Sequence, residues 1–119
     1  MEIREIGPDE ALRRLQAGAL LVDVRADHER ALGMASGALG VVRDRLEAAP
    51  GDFLPDADAE VLLICQSGRR SQLAAQALHA QGYRSLASVA GGTSAWESAG
   101  LPMSKPRLTS GGIEAAPTR

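Results

Sequence analysis

Aromatic side chains are nearly missing from this 119-residue chain: Phe53, Tyr83 and Trp96 are the whole complement. Leu, Val, Ile and Ala must therefore build most of any core. Cysteine is scarcer still. Cys65 stands alone, which excludes an internal disulfide and the multi-cysteine zinc patterns. The two histidines, His28 in a charged turn and His79 inside a helical stretch, have no partner in the sequence, so neither a metal site nor a Cys-His dyad is expected. A formal net charge of −2 gives no electrostatic case for nucleic acid or an anionic membrane as partner. No apolar run approaches the ~20 residues that a membrane span requires. The N-terminus, Met1-Glu2-Ile3-Arg4-Glu5, lacks the apolar stretch of a signal peptide. A cytoplasmic protein is the expectation, in keeping with an unpaired thiol.

What is present is ordinary in amount and informative in order. The chain is 45% hydrophobic and 24% charged, and it is long enough to bury about two-thirds of its unfolded surface as one domain. Strand-like and helix-like segments alternate. Ile3 to Ile6 reads as an edge strand, and Pro8 opens a helix through Gln16. Ala19 to Val24 reads as a buried strand, and Asp27 to Leu32 as a short helix or turn with its charges outward. Arg43 to Ala48 is another short helix. A second buried strand ends at Cys65, a helix runs on to Gln81, and a strand at Ser85 to Val89 precedes a helix at Thr93 to Ala99. Such alternation implies an α/β fold with a mostly parallel sheet and helices on both faces. From Ser104 to Arg119 the chain turns rich in Pro, Gly, Ser and Thr without amphipathic period, which reads as a flexible tail or linker after a domain of residues 1–103.

Cys65 falls where chemistry is expected in such a sheet. The run Val61-Leu62-Leu63-Ile64 is a short buried strand, Gln66-Ser67-Gly68 is a loop, and Arg69-Arg70-Ser71 opens the next helix. Ligands of open α/β sheets bind at these carboxyl edges. A free thiol has a pKa near about 8.5, and only its thiolate is a good nucleophile. The helix N-terminus contributes roughly half a positive charge and unpaired N–H groups. Gly68 allows the amides to curl into a nest, and Arg69 and Arg70 add two permanent cations. Residue by residue, alternatives stay open: a lone cysteine is often a packed core group, and two arginines can be a solvated pair on an exposed helix.

Three ordered segments then resemble the single-domain rhodaneses, the sulfurtransferase family. Leu21-Val22-Asp23-Val24-Arg25, with Glu29, Gly33, Gly37 and Ala38, is similar to that family's first signature. Cys65 to Ser71 resembles its active-site loop, where the cysteine begins a six-residue cradle. Gly91-Gly92-Thr93-Ser94-Ala95-Trp96, then Gly100-Leu101-Pro102, resembles its closing signature. The likeness spans about residues 3 to 103. Departures fall in the first signature, where Arg30 replaces an aromatic, Met34 a histidine, and Ala35-Ser36 an Ile-Pro pair; these positions are mainly structural in the family.

The resemblance implies a three-layer α/β/α domain with about five strands and transfer of a sulfane sulfur from thiosulfate or a persulfide donor through a Cys65 persulfide, without a cofactor or metal. Gln66, Ser67, Gly68, Arg69 and Arg70 are the expected substrate-binding residues, with Arg70 the inward-facing cation. Ser71 supports the sulfur or caps the helix, Asp23 braces loops, and Arg25 either binds the anion or forms a structural ion pair. A small anionic sulfur donor is the expected partner. A desulfurase or ubiquitin-like sulfur carrier would be a protein donor or acceptor, and fusion to an adenylating domain would explain the tail as a linker. Two other classes stand against this: a cysteine-dependent phosphatase or arsenate reductase, and a non-catalytic rhodanese-homology binding module. The first generally needs a C-x5-R loop, whereas Arg70 is the fifth residue after Cys65. The second often loses the cysteine or the loop's glycine and arginines, all kept here.

Overall fold

The computed structural model describes residues 3–109 and 113–118. Its first half builds β1 (Arg4–Ile6), α1 (Pro8–Gln16), β2 (Leu20–Asp23), α2 (Asp27–Arg30), β3 (Met34–Ala35), β4 (Leu39–Gly40) and α3 (Arg43–Ala48). The second half builds β5 (Glu60–Ile64), α4 (Arg69–Ala80), β6 (Ser85–Val89), α5 (Gly92–Ser98), β7 (Met103–Ser104), β8 (Arg107–Leu108) and β9 (Glu114–Ala115). The main sheet runs β1-β6-β5-β2-β4-β9-β8. Its first five strands are mutually parallel, and the last two add antiparallel. A two-stranded ladder, β3 with β7, lies apart.

Strand alternation divides the core between the two faces of the sheet. Val61, Leu63 and Cys65 point to one face with Val22 and Val24, and pack against Leu46, Ala74, Ala75 and Leu78 of α3 and α4. Leu62 and Ile64 point to the other, with Leu21, Ala87 and Val89, against Ala11 of α1 and Trp96 of α5. The result is the expected three-layer α/β/α arrangement, and Cys65 extends the α4-facing row of β5. Trp96 packs α5 onto the sheet and donates its indole N–H to the Pro102 carbonyl at 2.8 Å. His28 and His79 are exposed.

Two expectations need correction. The stretch from Ser104, read as a structureless tail, carries strands β8 and β9 in its described part. Gly37 N–H donates to the Ala116 carbonyl at 2.7 Å, Ala116 N–H donates to Ala38 at 2.8 Å, and Ala116 is buried. Backbone pairing to the free edge of β4 needs no amphipathic side-chain period, which is why composition failed to signal it. Residues 110–112 and 119, also part of that expectation, lie outside the described residues. The other correction is Arg30, expected on an outward face and found buried. Its guanidinium donates to the Arg25 carbonyl, to Asp27 at 2.5 Å and to Glu114 of β9 at 2.7 Å. These acceptors replace the hydration of its terminal nitrogens, while the buried Nε has no hydrogen-bond partner among the described residues.

Candidate active site

The carboxyl edge of the sheet brings two loops together, one after β2 and one after β5. The β5 loop turns into α4 through Gly68, whose φ of +107° is a left-handed conformation that favours glycine. That turn folds the Gly68 N–H back onto Cys65 Sγ at 3.1 Å. The Cys65 thiol also lies 3.4 Å from the Ser71 hydroxyl, one turn into the helix. Cys65 is only 1% exposed, so these contacts are screened little by water. Burial pushes its pKa up, but hydrogen bonds from the Ser71 hydroxyl and from the backbone N–H groups of Ser71, Gly68 and Ser67 pull it down by more. The net position is below the ordinary thiol value. The amides at the helix N-terminus thus favour the thiolate over what burial alone would allow.

The loop itself is pinned from α5. Thr93 donates both its N–H, at 2.8 Å, and its hydroxyl, at 3.0 Å, to the Cys65 carbonyl; Ser94 N–H donates to the Gln66 carbonyl at 3.1 Å. Gly92, with φ of +58°, permits this approach, since a Cβ there would fall on the Cys65 carbonyl oxygen and lie 2.6 Å from the Gln66 carbonyl. Thr93, Ser94 and Gly92 were singled out in the sequence only as parts of a closing signature; their service to the cysteine loop depends on a tertiary contact.

The loop after β2 is occupied by its own charges. Asp23, fully buried, accepts from the Arg25 N–H at 3.0 Å and from its guanidinium at 2.8 to 3.1 Å. Arg25 also donates to Gly33 O at 2.7 Å and to Gln66 Oε1 at 3.0 Å, tying the two loops together. Of the two readings open for Arg25, the structural ion pair is thus formed. Gln66 completes the tie by donating Nε2 to Ser94 Oγ at 2.7 Å. Arg70, expected to face inward over the sulfur, spans to Glu29 of α2 through two bonds of 2.6 and 2.8 Å. That guanidinium lowers the Glu29 carboxyl to about 2. Arg69 and Ser67 are exposed. A cavity of about 340 Å3 opens beside the loop, lined by Arg25, Glu29, Leu32, Gly33, Gln66, Thr93, Glu97 and Met103. Among the described residues, no group of three His, Cys, Asp or Glu side chains converges as a metal site, and no helix is long and apolar enough to cross a membrane.

The fold is that of an α/β domain with a buried cysteine at the carboxyl edge of a parallel sheet, its sulfur facing amides at a helix N-terminus, a setting that favours a thiolate. The rhodanese-like domain family matches residues 7–99, and the chain belongs to that family. It is 36% identical over 99 residues to thiosulfate sulfurtransferase GlpE of Pseudomonas entomophila, covering 82% of this chain and 87% of that one. It is 32% identical over 103 residues to thiosulfate sulfurtransferase GlpE of Haemophilus influenzae, covering 87% of this chain and 96% of that one. In fold it is similar to the crystal structure of a rhodanese-related protein from Thermoplasma volcanium. That match has a TM-score of 0.75 and 24% identity, and covers 84% of this chain and 96% of the other.

Proposed function

We propose that this rhodanese-family protein is a thiosulfate sulfurtransferase working through a persulfide on Cys65. The observation that carries the reading is the sulfur's setting: one buried sulfur receives the Gly68 N–H at 3.1 Å and lies 3.4 Å from the Ser71 hydroxyl, at the start of α4. In the cycle, the Cys65 thiolate attacks the outer sulfur of thiosulfate. A Cys65–sulfur bond forms, the thiosulfate S–S bond breaks, and its electron pair leaves on sulfite. An acceptor nucleophile, cyanide or a thiolate, then attacks the terminal sulfur and returns Cys65 as thiolate. This is ping-pong covalent catalysis. The loop amides from Gln66 to Arg70 stabilise negative charge in both half-reactions and need no reorganisation to do so. Ser67 and Arg69 line the approach of the anionic donor, and Arg70 joins them when the donor competes with Glu29 for its guanidinium. Asp23, Arg25 and Ser71 support the cradle.

No cofactor is needed, because the thiolate supplies the bond-forming electrons. An unpaired reactive thiol is kept free of disulfides by a reducing compartment, so we place the protein in the cytoplasm. A persulfide-bearing desulfurase as donor and a ubiquitin-like carrier as acceptor fit the same chemistry. The test is intact mass after thiosulfate treatment. Wild type gains one sulfur atom, cyanide removes it, and Cys65→Ser gains none. Wild type that takes no sulfur from thiosulfate or from a desulfurase donor overturns the proposal in favour of a binding module.

A further inference from the structure

Ser88 lies on β6 opposite Leu63 of β5, fully buried in a strand that is otherwise apolar at its centre. Packing alone gives no reason for a hydroxyl there. Its Oγ stands 2.6 Å from Ser71 Oγ, which lies 3.4 Å from Cys65 Sγ and 3.1 Å from the Gly68 carbonyl. Three buried groups thus form a file: Ser88, Ser71, Cys65.

Counting hydrogens assigns direction to that file. A serine hydroxyl has one hydrogen and two lone pairs. While Cys65 is a thiol, it donates to Ser71 Oγ, and Ser71 donates its single hydrogen to the Gly68 carbonyl. When the thiol proton leaves, Ser71 turns that hydrogen to the sulfur. In neither state does Ser71 have a second hydrogen for Ser88, so Ser88 is the donor in the 2.6 Å bond. We propose that Ser88 is a positioning residue for Cys65: by donating to Ser71 it fixes that hydroxyl in place and strengthens it as a donor to the sulfur anion. A donor that is itself an acceptor is polarised toward stronger donation, the more so where water is excluded. This rests on Cys65 acting as the nucleophile of the proposed cycle. The charged groups around the cradle are Glu5 of β1, Asp23 and Arg25 after β2, Glu29 of α2, and Arg69 and Arg70 of α4. Ser88→Ala removes none of these, so they form a constant background.

The test reads the sulfur without any sulfur donor, by the pH dependence of Cys65 alkylation with iodoacetamide. Ser88→Ala raises the midpoint by roughly half a unit to one unit, the worth of one modest hydrogen bond. Alkylation below the midpoint then slows by roughly three- to tenfold at fixed pH. In a Ser71→Ala background the same substitution shifts nothing further, because its effect runs through Ser71. An unchanged midpoint in Ser88→Ala, or an equal shift in both backgrounds, overturns the proposal. Failure of the sulfurtransferase reading looks different: normal alkylation in all variants' parent, with no persulfide formed from thiosulfate.

Discussion

The loops after β2 and β5 end on the same sheet edge, and both begin from buried parallel strands, yet they dispose of charge in opposite ways. After β2, Asp23 and Arg25 neutralise each other, and two further guanidinium hydrogens go to Gly33 and Gln66. After β5, the backbone leaves its N–H groups directed at one sulfur. The difference is conformational. The β5 loop turns through a left-handed glycine straight into a twelve-residue helix, whose first amides have no intrahelical acceptor. The β2 loop enters α2, only four residues long, with Glu29 already accepting the Ala26 N–H at 3.2 Å. One loop is a brace and the other a cradle.

That division separates stability from chemistry by loop. Asp23→Ala leaves the Arg25 guanidinium buried without its counter-ion, a change that costs about 3–5 kcal/mol in comparable settings. Urea denaturation should show that loss, whereas Cys65→Ser, expected to abolish the proposed persulfide, shifts the unfolding midpoint far less. A stability loss from Cys65→Ser equal to that from Asp23→Ala would erase the distinction between brace and cradle.

A smaller effect probes the link between the two loops, the Glu29–Arg70 pair. Glu29 has a folded pKa of about 2 against an ordinary 4.5. A depressed carboxyl contributes stability that is fully present above the unfolded value and is lost as pH falls from about 4.5 toward 2. Both side chains are partly exposed, Arg70 37% and Glu29 24%, so solvent screening reduces the contribution to about 1 kcal/mol or less. Comparing wild type with Glu29→Gln by denaturation at pH 7 and pH 3 measures it. The gap between them should narrow at pH 3, and a gap that is independent of pH would mean that Glu29 acts through its N–H acceptor at Ala26 alone.

The cradle was legible because everything that makes it is contiguous. Strand, loop glycine, cysteine and helix occupy residues 60 to 80, and period and punctuation report such local order directly. Four of the five parallel strands were legible for the same reason, whereas β4, two residues long, carries no pattern of its own. What escaped notice depends on pairing across the chain. Ser88 meets Ser71 only through the register of β5 with β6, and Thr93 meets the Cys65 carbonyl only because α5 packs behind the loop. Arg30 looked like a solvated charge among Asp27, His28 and Glu29, since nothing nearby in sequence announces Glu114, eighty-four residues away. The turn-rich composition after Ser104 concealed strands whose contacts are largely made by backbone.

Arg30 and Glu114 supply the finest test of the same comparison, because they extend the brace beyond the segment matched by the family. Arg30 is held by three acceptors of unequal worth: the buried Arg25 carbonyl, the 86% exposed Asp27 and the 31% exposed Glu114. Glu114→Gln removes one charge while leaving the backbone pairing of Glu114 with Gly40 intact. A cost of about 1 kcal/mol is expected, the upper range for a partly exposed pair. Amide exchange should quicken at Ala116 and Gly37, whose N–H groups join the end of β9 to the start of β4, and stay slow at Val24, bonded to Ile64 in the sheet centre. No change at Ala116 would mean that Asp27 and the Arg25 carbonyl hold the guanidinium without Glu114. A loss of about 3 kcal/mol or more would instead place Glu114 with Asp23, as the counter-ion of a buried cation.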